Sequence, residues 1–168
     1  MIRIFLLLIF SSMILAFGAG AAEQKQDMGG WEIDSEYNKL YDYREMDSFK
    51  GWVIRVKEVV PMPGMSPGVA VDISETKDLK SEPIEVHLCP SWFADPKSIG
   101  IKRGDRVKVK GVWAEINGRD VFLASKIKKG DYFEFKVRLS KDGTPFWTMS
   151  PEQLKKERAS SQASLKEK

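Results

Sequence analysis

The sequence predicts an all-β fold, a small antiparallel β-barrel with a short helical N-terminal segment and a polar C-terminal tail. Three observations carry this. Val107, Val109, Gly111 and Trp113 alternate with Arg106, Lys108, Lys110 and Val112. Beyond Asn117-Gly118, Val121, Leu123, Ser125 and Ile127 alternate with Phe122, Ala124, Lys126 and Lys128. The Asn-Gly pair between the two runs suits the positive φ angles of a two-residue hairpin turn, and period-two alternation marks strands with one face buried. Alternation places Phe122 on the Lys-rich face and Trp113 with the inward set.

The chain opens on Arg3, an apolar run from Ile4 to Phe17 broken by two serines, and the small residues Gly18-Ala19-Gly20-Ala21-Ala22. A positive start, an apolar centre and an Ala-x-Ala site describe a secretory signal peptide over residues 1–22, cleaved after Ala21 or Ala22. The rival is an uncleaved membrane anchor, which needs about 20 apolar residues. Lipoprotein processing is excluded because Cys89 is the only cysteine. Export places the protein in the periplasm or outside a bacterial cell, with no stable membrane span after cleavage.

Of 27 Lys and Arg against 24 Asp and Glu, only Arg3 lies in the leader, so the remainder is nearly balanced. That balance does not by itself imply nucleic-acid or membrane binding. The distribution is uneven: residues 102–129 carry nine basic and three acidic side chains, and residues 23–49 carry eight acidic and three basic. Such segments can face each other or water. One cysteine cannot form an internal disulfide, so burial of apolar surface must supply most of the stability. Five tryptophans and Val-, Ile- and Phe-rich strands provide it.

Residues 23–43 form an N-terminal extension. Within it, 23–30 reads as a loose leader, and Tyr37, Leu40 and Tyr41 fall at i, i+3 and i+4 of a short helix. The barrel domain spans 44–149. A long first strand covers about Arg44 to Val60, with a bulge or bend at Gly51, Trp52, Ile54 and Val56 on one face, and Arg55 and Lys57 on the other. Three prolines and two glycines make 61–68 a loop. Val69, Val71 and Ile73 begin the second strand. In the third, Ile84, Val86 and Leu88 alternate with Glu85, His87 and Cys89. Residues 91–100 are an irregular or one-turn helical connection. The hairpin supplies strands four and five, and Phe133, Phe135, Val137 and Leu139 the sixth, closed by Asp142-Gly143. Residues 150–168 are rich in Lys, Glu and Ser and form a polar tail.

Five or six short strands, with the one non-strand connection between the third and fourth, is the strand order of an OB-fold. From Gly68 to Trp147, through EVHLCPSWF, IKRGDRVKVKGVW, NGRDVFLASKIKKGD and LSKDGTPFW, the chain resembles a family of exported bacterial OB-fold-like domains. These occur among periplasmic proteins without an assigned role and among proteins associated with magnetosomes. The chain departs from that pattern at Cys89, where glycine is expected. The resemblance implies an architecture and a compartment, not an activity.

The candidate sites are few. His87 and Cys89, two apart on one strand, offer soft donors for copper, with Met62 and Met65 as thioethers. Two strand donors do not complete a coordination sphere, however, and a lone cysteine more often packs as a small hydrophobe. Haem has no Cys-x-x-Cys-His, and Ser91 lacks a nucleophile elbow, so no cofactor and no catalysis are implied. Lys108, Lys110, Lys126 and Lys128 form a basic face that Phe122 shares, which fits single-strand nucleic-acid binding in outline. It fits an exposed sheet face that resists edge pairing equally. The sequence therefore favours an exported, non-enzymatic binding or accessory module. Its protein or envelope partner would meet Trp92, Phe93 and the basic hairpin. Copper handling is the alternative, and nucleic-acid binding the second alternative.

Overall fold

The computed structural model describes residues 27–166; the leader falls outside the described residues. The elements are α1 (Glu36–Lys39), β1 (Asp47–Val59), β2 (Gly68–Ser74), β3 (Ile84–Pro90), β4 (Arg106–Ile116), β5 (Arg119–Lys129), β6 (Phe133–Lys136) and α2 (Pro151–Lys166). The sheet order is β3-β2-β1-β4-β5-β6, and β3 also pairs with β5. All pairings are antiparallel except β3–β5, a short parallel contact of Val86 with Phe122 and His87 with Leu123. This contact closes β1, β2, β3, β5 and β4 into a ring. Among the described residues no helix is long and apolar enough to cross a membrane.

Strand β1 holds the ring together because it serves two neighbours. Asp47 to Trp52 pair with β4, and Trp52 to Val59 pair with β2. Gly51 sits at the changeover, where a Cβ would press into Ile73 and the Ser74 carbonyl. The register shift itself lies between Val53 and Arg55 rather than at Gly51. This corrects the expected faces of β1. Val53 is fully buried and shares a side with Val56 across the bulge, since their partners Ile73 and Val71 alternate. Trp52 instead lies under the Arg106 guanidinium, 5.3 Å from ring centroid to Cζ.

In the β4–β5 hairpin, Asn117 (φ 53°) and Gly118 (φ 72°) form the expected turn. A second correction concerns Phe122. Lys110 opposes Lys126 but Gly111 opposes Ala124, so Ser125 is an extra residue in β5. The extra residue flips the alternation, and Phe122 comes opposite Trp113, on the side of Val109 and Ile127. Phe122 is therefore fully buried, off the lysine face. Its ring lies over Gly111, and a Cβ there would collide with the Leu123 carbonyl. Trp113 does belong to the inward side, but it closes one end of the ring and stays 45% exposed. It stacks on Phe49 and meets Phe122 edge-on.

A second layer covers the outside of part of this ring. Trp31, Tyr37, Tyr41 and Trp147 are buried, joining both ends of the chain. Trp147 Nε1 donates to the Trp31 carbonyl (2.9 Å), and Trp31 Nε1 to that of Ser66 (3.0 Å). Arg138, 2% exposed, lies over the Tyr41 and Trp147 rings and donates to Asn38 Oδ1 (2.7 Å). The N-terminal stretch is accordingly not loose from residue 28 onward: Met28 packs on the core and Ser66 N–H bonds the Gly29 carbonyl. The polar tail forms α2, a helix with no buried residue, tied to the sheet by Lys136–Glu157 (3.4 Å) and by Arg158 over Phe93.

Candidate functional site

The strand registers turn the basic hairpin into two ladders. Lys50, Lys108 and Lys128 lie directly opposite one another across β1, β4 and β5. Lys110, Lys126 and Lys136 do so across β4, β5 and β6. Facing residues of neighbouring strands have Cβ atoms about 5 Å apart, and like charges so placed oppose folding. Glu134 compensates one part, accepting from Lys128 (2.9 Å) and Lys126 (3.2 Å). Burial disfavours its charge, but the hydrogen bond from Lys128 and the charge of Lys126 outweigh that and hold its carboxyl below the usual range. Lys126 is shifted down by burial, with Lys128 and Lys110 adding repulsion against the attraction of Glu134. Among the described residues Lys50, Arg106, Lys108 and Lys110 form no ion pair with a carboxylate. Four cations, Lys50, Arg106, Lys108 and Lys128, line a pocket of about 460 Å³, with Asp131 from the β5–β6 turn.

Lys108 and Lys110 do not serve to blunt an edge, because β4 is paired with β1 on one side and β5 on the other there. The alternation exposed Lys108, Lys110, Lys126 and Lys128. It also put Arg106 on that face, though not among the candidate site residues, and it missed Lys50, Lys136 and Glu134, because nothing local in a strand names its neighbour. Glu36 and Asp42 of the acidic N-terminal segment pair locally, with Lys39 and Arg44.

Trp92 is 51% exposed on the connection after β3, with Phe93 edge-on beside it and half buried against Trp147. Phe93 thus belongs partly to the packing, while Trp92 is available at the surface.

His87 and Cys89 are buried and committed elsewhere. His87 Nε2 lies 2.9 Å from Glu85 Oε1, and Nδ1 lies 3.2 Å from the Tyr37 hydroxyl. A carboxylate only accepts, so Nε2–H donates to Glu85, while Nδ1 and the Tyr37 hydroxyl share the second hydrogen bond. Burial pushes the Cys89 thiol up to about 12. Neither ring nitrogen nor a thiolate is then free for a soft cation. Met62 and Met65 pack against the core and are joined by Met65 N–H to the Met62 carbonyl (3.1 Å). No group of three His, Cys, Asp or Glu side chains suited to a metal occurs among the described residues. The polar chain continues outward from Glu85 through Lys57 (2.6 Å) to Asp72 (2.7 Å) and Arg55 (2.6 Å). With Phe122 buried, no aromatic ring from β5 stacks beside the lysines.

A closed ring of strands, filled with apolar side chains and presenting its concentrated charge outward, defines a class of β-rich proteins with surface chemistry. Within that class, this chain belongs to the MamS/MamX magnetosome protein family, whose family model matches residues 45–133, from just before β1 to the start of β6. No curated protein and no solved structure matches the chain.

Proposed function

We propose that the chain is an exported, non-enzymatic binding or accessory module of the magnetosome family, an OB-like β-barrel in the periplasm that acts through protein or envelope contacts. The observation that carries this is the outer face of β1, β4, β5 and β6, where lysines stand in register and four cations form no ion pair with a carboxylate among the described residues. A folded protein gains nothing in stability from such an arrangement, and residues that cost stability without local compensation concentrate at functional surfaces. Trp92 supplies a second, aromatic contact. The one histidine is held between Glu85 and Tyr37, and the one cysteine is a buried thiol.

Retention of the purified chain on an envelope fraction tests the reading. Lys110→Glu and Trp92→Ala are each expected to weaken retention without altering the far-UV circular dichroism. Retention equal to that of the unsubstituted chain in both variants would overturn it. The compartment has its own check: osmotic shock should release a protein beginning at Ala22 or Glu23, whereas an intact Met1 in the membrane fraction would refute export by cleavage.

A further inference from the structure

The pocket beside the first lysine ladder has a composition that selects a ligand chemistry. Lys50, Lys108 and Lys128 arrive from three successive strands at one height, and Arg106, the β4 residue opposite Trp52, adds a guanidinium at the same end. Lys128 shares Glu134 with Lys126, and Asp131 is the one carboxylate among the lining side chains. The pocket is therefore left with an excess of positive charge that a single carboxylate would not balance. A phosphate group brings about −1.5 to −2 charges and three strong acceptor oxygens. Guanidinium forks and ammonium groups match those oxygens through short, charge-assisted bonds. Tyr132, next in the chain to Asp131, is 83% exposed. Lys110, one ladder further along, stands ready for a second charged group.

We propose that the pocket between Lys50, Arg106, Lys108 and Lys128 is a binding site for phosphate-bearing ligands, and that it is the recognising element of the face assigned above. This rests on the binding-module reading and sharpens it. The ladder explains why the site is built at a cost: the repulsion that opposes folding in the free chain is relieved when an oxyanion enters. Ligand binding and stability are then coupled with opposite signs at Lys108. Replacing this central lysine by glutamate gives Lys50 and Lys128 an opposite charge between them, which steadies the sheet and removes the site at once.

The full chain and its Lys108→Glu variant are compared by calorimetric titration with tripolyphosphate and by thermal unfolding with and without it. Vesicles of phosphatidylcholine alone, or containing phosphatidylglycerol, are sedimented with the same two chains, which share the same N-terminus. The expected result has three parts. Tripolyphosphate binds the unsubstituted chain more weakly as salt rises and raises its melting temperature. Lys108→Glu melts higher than the unsubstituted chain when no anion is present. Its affinity for tripolyphosphate falls by roughly tenfold or more, a loss of about 1.4 kcal/mol. Binding to phosphatidylglycerol vesicles that is lost in Lys108→Glu, with little response to tripolyphosphate, supports the same site with a lipid headgroup as its source. Lys50→Gln serves as a second variant should Lys108→Glu fold poorly, and it too should lose affinity. No binding of either probe, or binding equal in the variants, would overturn the site. Salt-sensitive, Lys110-dependent retention on envelope material would survive that result, so the two readings fail separately.

Discussion

Glu85 carries the most strongly directed charge on the outer polar network. The hydrogen bond from His87 lowers its pKa most; burial opposes, and Lys57 adds to the lowering, taking the carboxyl from 4.5 to about 2. A carboxylate whose pKa falls on folding stabilises the fold fully above its unfolded value and loses that contribution as pH drops through the folded one. Stability should therefore decline between pH 4.5 and about 2, and Glu85→Gln should flatten that limb of the melting temperature. Parallel curves for the two proteins would contradict the assignment. Cys89 makes a second test at this scale. With its thiol pushed up to about 12 and its side chain buried, alkylation at pH 8 should be slow in the folded protein and rapid after unfolding. Rapid native-state modification would contradict its burial.

At the scale of elements, β4 was legible in the sequence and β5 only in outline. Alternation through Val107, Val109, Gly111 and Trp113 survives because β4 pairs with β1 without a shift from Arg106 to Gly111 and the extra residue of the hairpin lies in β5. In β5 the extra residue Ser125 breaks the period, and Val121 to Ser125 are all buried because the second layer covers the outer side. Neither a bulge nor a cover contributed by residues far along the chain leaves a mark in local spacing. The same reason explains the site: four of its lysines and Arg106 were visible by alternation, while Lys50 and Glu134 became part of it only through pairing. The register itself is testable. Val109→Asp puts an unpaired charge in the core and should unfold the protein, whereas Lys108→Asp should change stability by less than about 1 kcal/mol, in the stabilising direction if at all. Equal melting temperatures would mean a slip of one residue. Gly111→Ala should cost about 2 kcal/mol or more by chemical denaturation, because the added methyl meets backbone rather than a movable side chain.

For the whole molecule, the joint between the chain's two ends matters most. Arg138 is buried with Tyr41, Trp147 and Asn38 and, among the described residues, forms no ion pair with a carboxylate; burial lowers its pKa, opposed by the nearby Tyr37, Tyr41 and Cys89. Arg138→Ala leaves the Asn38 amide oxygen buried without that donor and opens a cavity, and should cost about 3 kcal/mol in denaturant unfolding. Arg138→Lys should not restore it, since a point-like ammonium cannot stack on two rings and reach Asn38 together. Full stability in the lysine variant would show that charge alone matters there.

The bond from Trp147 to Trp31 spans 116 positions along the chain, and that from Arg138 to Asn38 spans 100. Closing loops of this length is slow relative to local pairing. A chain synthesised from its N-terminus can set Trp31 against Ser66 and Tyr37 against His87 early, but Trp147 and Arg138 close over this cluster only after residues 138–147 have emerged. The matched family segment, 45–133, contains neither side of this joint. Assembly of the hairpins can run ahead, but the last step waits for the segment after β6, and a chain cut short near residue 133 would leave Trp31 without Trp147 and Tyr41 without Arg138.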